Sequence, residues 1–68
     1  MKQFRFQIEA TWRHMVMTYN FTNFESAWKD LFILRESEYI TYVRLYYSNP
    51  ETGNNELVYA DRGAGWNN

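Results

Sequence analysis

From residue 2 to residue 9 polar and apolar side chains alternate. Phe4, Phe6 and Ile8 fall on one parity, and Gln3, Arg5, Gln7 and Glu9 on the other. Successive side chains of a strand point to opposite faces, so this pattern predicts a half-buried first strand. Residues 10–13 interrupt it without Gly or Pro and read as a turn. Alternation resumes over 14–21, with Met15, Met17, Tyr19 and Phe21 set against His14, Val16, Thr18 and Asn20, which predicts a second strand forming a hairpin with the first. A single long strand through Trp12 is the rival reading. Thr22-Asn23-Phe24-Glu25 then fits a capping box, with Asn23 as the alternative cap. Phe24, Ala27, Trp28, Leu31, Phe32 and Arg35 recur at helical spacing, so a helix is expected to run to Glu36-Ser37.

Residues 39–47 carry the strongest strand signal, nearly all β-branched or aromatic. One face would hold Tyr39, Thr41, Val43, Leu45 and Tyr47, and the other Ile40, Tyr42, Arg44 and Tyr46. Neither face is plainly polar. Residues 48–55 are dense in turn formers, residues 56–61 read as a short fourth strand, and 62–68 as a flexible tail carrying Trp66. The expected fold is therefore α+β: one ββαββ domain over 1–61, four antiparallel strands in spatial order 2-1-3-4, and one helix on one face. Phe4, Phe6, Ile8, Met15, Met17, Tyr19, Val43, Leu45, Leu57 and Tyr59 are expected beneath the helix.

Composition narrows the chemistry. The 68 residues include no cysteine and one histidine, which excludes disulfides, thiolate metal sites and His-rich sites. Phe, Trp and Tyr make up 21% of the chain, so large rings are the expected source of stability. A net charge of −1 and a pI near 5.7 lack the positive excess of a nucleic-acid binder. No apolar run approaches a membrane helix, and the alternating N-terminus does not resemble a signal peptide, so a cytoplasmic protein is expected. The Asn20-Phe21-Thr22 acceptor pattern reads as chance in that setting.

No catalytic residue, metal ligand or cofactor is assigned. Glu36 and Glu38 straddle a helix end, His14 has no nucleophile at an interpretable spacing, and Gly63-Ala64-Gly65 is too short for a phosphate loop. A single helix covers only one side of a sheet. Ile40, Tyr42, Arg44 and Tyr46, with Arg5 beside them, should thus lie on the uncovered face. Tyr and Arg combine large area with hydrogen-bonding ends and are enriched at binding hot spots. Trp66 would join them through a Gly-Ala-Gly hinge, or remain in a disordered end. The expected partner is another protein. A homodimer is the first alternative, and stacking of single-stranded nucleic acid ranks behind both.

Thr22-Asn23-Phe24-Glu25-Ser26-Ala27-Trp28 opening the helix, followed by a tyrosine-rich hairpin around Asn49-Pro50, resembles the style of small proteins encoded by phages and other mobile elements. Anti-CRISPR and related anti-defence inhibitors are among them. The resemblance implies a non-enzymatic inhibitor that occupies the surface of a complex in the host cytoplasm. It transfers no residue role.

Overall fold

A computed structural model of the chain describes residues 4–66. Lys2 and Gln3 of the expected first strand, and Asn67 and Asn68 of the expected tail, lie outside the described residues. Strands β1 (Phe6–Trp12), β2 (Met15–Phe21), β3 (Tyr42–Ser48) and β4 (Asn55–Arg62) form one antiparallel sheet in the order β2-β1-β3-β4. Helix α1 (Phe24–Glu36) connects β2 to β3. This is the α+β arrangement that the alternation and the crossover predict.

β1 does not end at Glu9. Its even residues keep facing the helix through Ala10, which is fully buried, and Trp12, which packs against the core. The turn is only Arg13-His14, because Trp12 pairs directly with Met15. Two intervening residues swap the parity, so even positions of β1 and odd positions of β2 share a face. Arg13 adopts φ +58°, a left-handed conformation that costs a residue with a side chain about 1 kcal/mol.

Asn23, not Thr22, caps α1: its side-chain oxygen accepts the Ser26 N–H at 2.9 Å. The helix closes where the Ser37 N–H donates to the Leu34 carbonyl. Ala27 and Leu31 are fully buried and meet Ile8, Ala10, Val43 and Leu45 in the core. The helix covers the two central strands and reaches the margins only at Met17, Phe21 and Tyr59. Phe4, Met15 and Tyr19, expected beneath it, are exposed by 53%, 56% and 38%.

Leu57 is a second correction, being 57% exposed. Leu45 pairs with Tyr59 but Tyr46 pairs with Leu57, so Val58 is an extra residue that reverses the parity of β4. Tyr59 packs against the core. Leu57 turns to the opposite side.

A chain of rings ties helix to sheet. Tyr47 meets Phe6 at 5.5 Å between centroids, Phe6 meets Phe24 edge-on at 5.5 Å, and Phe24 stacks on Trp28 at 5.5 Å. Trp28 in turn meets Phe32 at 4.9 Å and Tyr59 at 5.3 Å, both edge-on. Each such pair is worth about 0.5–1.5 kcal/mol beyond its burial. At the helix C-terminus, Arg35 Nη1 donates to the Tyr59 hydroxyl at 3.2 Å, and that hydroxyl donates to Asp61 Oδ2 at 2.9 Å. The bond to Asp61, then burial, pushes the Tyr59 hydroxyl pKa up. The same bond, then the Arg62 N–H, holds the Asp61 carboxyl below its usual range.

Trp28 joins three of these rings, so Trp28→Ala should lower stability by about 3 kcal/mol. At this chain length about 1 kcal/mol moves Tm by roughly 4–8 °C, so Tm should fall by roughly 12–24 °C on thermal unfolding. Asp61 gives a pH signature. Its folded pKa is depressed, so its contribution is full above the unfolded value of about 3.9 and is lost as pH falls through the folded value. The Tm advantage of the wild type over Asp61→Asn should therefore be constant at neutral pH and vanish in strong acid. A constant difference down to the lowest pH would contradict the assignment.

Candidate functional site

The sheet face opposite α1 is laid out by register. Across the order β2-β1-β3-β4, Thr18, Glu9, Arg44 and Ala60 form one row, and Asn20, Gln7, Tyr46 and Leu57 the next. Val16, Thr11, Tyr42 and Arg62 form a third. The half of the face on β1 and β2 is polar apart from Val16, with Gln7 Nε2 donating to Asn20 Oδ1 at 3.2 Å. Large side chains gather on the half made by β3 and β4.

There, two neighbouring rings are flanked by two cations. The Arg44 guanidinium sits 4.8 Å from the centre of the Tyr42 ring. Tyr42 lies 6.0 Å from Trp66, and the Arg62 guanidinium stands 4.6 Å over Trp66. Arg44 also reaches the Glu9 carboxylate at 3.9 Å. With the Arg44 side chain 41% exposed, that ion pair orients the guanidinium more than it stabilises the fold. Exposed cation–π contacts contribute about 0.5–1 kcal/mol each, enough to hold the side chains in a common arrangement. Tyr46 adjoins this row, and its hydroxyl pKa is pushed up first by burial and then by the Glu9 carboxylate.

Four of the six residues expected at a binding face are thus brought together: Tyr42, Arg44, Tyr46 and Trp66. Ile40 is not among them. It is 3% exposed and belongs to the core. β3 begins only at Tyr42, and the turn after β4 closes over Ile40, whose carbonyl accepts the Gly65 N–H at 2.9 Å. Arg5 shares the parity of Gln7 but stands beyond the cluster, where its carbonyl accepts the Ser48 N–H. It lines a separate open hollow of about 380 Å³ with Phe4, Ser48, Asn49, Pro50 and Gly53.

Arg62 and Leu57 belong to the face and were not expected there. Arg62 lies opposite Tyr42 because β4 runs one residue further than expected, and Leu57 arrives through the Val58 bulge.

Residues 62–66 are bound to the body of the domain. The Ala64 N–H donates to the Arg35 carbonyl at 2.9 Å, and the Gly63 N–H to the Thr41 carbonyl at 3.0 Å. Gly63 and Gly65 are both buried. A Cβ at Gly63 would overlap the Ile40 carbonyl oxygen, and one at Gly65 would overlap that of Glu38. Glycine serves here for close backbone approach rather than as a hinge, and this seating is what delivers Trp66 to Tyr42.

A second hollow, about 310 Å³ and open to solvent, is lined by Trp12, Arg13, Glu38, Tyr39, Thr41 and Gly65. His14 lies in the exposed hairpin turn, and Glu36 and Glu38 are both exposed at the end of the helix. Among the described residues no three His, Asp or Glu side chains converge, and no helix is long and apolar enough to cross a membrane. No family model, curated protein or solved structure matches the chain.

Gly65→Ala should expel the turn that carries Trp66, at a cost of about 1–3 kcal/mol for forcing atoms into filled space. Hydrogen exchange reads this locally. The amides of Ala64 and Gly65 should lose protection while those pairing β1 with β3 keep theirs. Equal protection in the variant would show that the turn has room to spare.

Proposed function

We propose that this chain is a small non-enzymatic protein-binding module that blocks a host protein complex by covering part of it with the sheet face opposite α1. The observation that supports this reading is the continuous Arg44–Tyr42–Trp66–Arg62 row, left without an intramolecular cover. Aromatic and guanidinium groups held in a fixed arrangement lose little freedom on binding, which is why such residues dominate interface energetics. Their surroundings on β1 and β2 are polar and suit a hydrated rim.

The net charge of −1 and the Glu9 carboxylate inside the face favour a protein surface over a phosphate backbone. The size and element order that resemble phage-encoded anti-defence inhibitors support steric inhibition in the host cytoplasm as the mode of action.

The test is comparative capture from a lysate of the organism in which the gene acts. Tyr42→Ala combined with Arg44→Ala should lose at least about tenfold in affinity for the captured partner, as expected when two hot-spot side chains are truncated. Circular dichroism should stay that of the wild type. Undiminished capture by the double variant would remove the sheet face from consideration.

A further inference from the structure

The two edges of the sheet are built differently. β4 ends the sheet on one side and carries Glu56, Asp61, Arg62 and the Val58 bulge, features that discourage further pairing. β2 ends it on the other. Its sequence, Met15-Val16-Met17-Thr18-Tyr19-Asn20-Phe21, contains no charge, no proline and no glycine, and its register with β1 has no bulge.

The direction of its free hydrogen-bonding groups follows from the ladder. A two-residue turn makes Trp12–Met15 the closing hydrogen-bonded pair, so even residues of β1 bond to β2. The Ser48 N–H donating to the Arg5 carbonyl agrees, since it assigns odd positions to β3. Met15, Met17, Tyr19 and Phe21 therefore direct their backbone groups at β1. Val16, Thr18 and Asn20 direct theirs outward, and no strand meets them among the described residues.

We propose that a second copy of this chain pairs with β2, antiparallel, about a two-fold axis through Thr18. This register is self-complementary. Thr18 faces its counterpart, and Val16 faces Asn20 in both directions. Every outward N–H and C=O of these three residues then finds a partner. On the helix side Met17 meets Tyr19 and Met15 meets Phe21, which covers the apolar side chains that α1 leaves bare. Met15 and Tyr19 are exposed by 56% and 38% on the helix side of the single chain, and Val16 by 56% on the opposite side.

Charge supports a copy of this chain as the occupant. A two-fold axis sets residues near it against their own kind, so a charged edge would repel itself. β2 carries no charge to do so.

The axis of such a pairing is perpendicular to the sheet. The result is a continuous eight-stranded sheet with both helices on one side and both Tyr–Arg faces on the other. The two β3 strands would lie five strand spacings apart, about 24 Å.

Light scattering after size exclusion, over about a hundredfold range of concentration, tests this directly. The wild type should show twice the chain mass at the upper end. Thr18→Lys should be monomeric throughout, because it places two ammonium groups across the axis. Glu9 lies opposite Thr18 within the chain, so the lysine is accommodated in the folded monomer, and circular dichroism checks that it is.

A second variant does not depend on that substitution folding well. The chain has no cysteine, so Thr18→Cys introduces a single thiol whose counterpart would lie about 5.5 Å away between Cα atoms, within reach of a disulfide. Mild oxidation should link it into a dimer far faster than it links Ser26→Cys on the exposed helix surface. A monomeric wild type at all concentrations, an unchanged dimer in Thr18→Lys, or equal rates for the two cysteine variants would each overturn the proposal. None of these substitutions alters Tyr42, Arg44 or Trp66, so the outcome is independent of the sheet-face reading.

Discussion

One helix must cover four strands, and its thirteen residues are enough for two of them. Most features of the molecule follow from that shortage. Ile8, Ala10, Val43 and Leu45 on the central strands are sealed by Ala27 and Leu31, and little apolar volume remains to seal anything else. A chain of this size without cross-links would ordinarily be marginal. The rings from Tyr47 through Phe6, Phe24 and Trp28 to Tyr59 compensate by running across the gap between helix and sheet. The same shortage leaves Met15 and Tyr19 of β2 exposed on the helix side, although Met17 and Phe21 reach the core, and leaves the far face of the sheet with no cover.

The parts of the fold legible in the sequence were those fixed by local periodicity. Alternation in β1 and β2, helical spacing from Phe24 to Arg35, and one unbroken β-branched and aromatic run were sufficient for strand order as well as class. What escaped were features decided by a single residue of offset or by contacts far along the chain. Ile40 shares the parity of Tyr42, yet the strand starts after it and the turn at Gly63–Gly65 closes over it. Nothing near Ile40 in sequence announces that. The Val58 bulge left a faint mark, three consecutive apolar residues at Leu57-Val58-Tyr59 where strict alternation would have placed a polar one. The two-residue turn at Arg13-His14 left no mark at all, because arginine is a poor choice for the left-handed backbone it occupies.

The placement of the centre of the candidate face was legible in the sequence, and that of its ends was not. Tyr42, Arg44 and Tyr46 lie within one strand, so parity alone groups them. Trp66 joins them through the close approach of two glycines to the carbonyls of Ile40 and Glu38, a contact that composition could suggest but not orient. Arg62 joins because β4 is one residue longer than its apolar stretch. The face is thus assembled from two places in the sequence, and its outer members depend on the packing of the C-terminal turn.

The bulge has a consequence beyond this one structure. One surplus residue lets β4 point Tyr59 and Asp61 toward the helix and, a few positions earlier, Leu57 toward the solvent side. Loss of Val58 would restore simple alternation with Tyr59 still opposite Leu45 and Leu57 still opposite Tyr46, so each surface would keep the other side chains it displays now. The bulge therefore absorbs one residue of length, so that the chain can gain or lose it in a single evolutionary step without disturbing either surface of the sheet or reopening the interior.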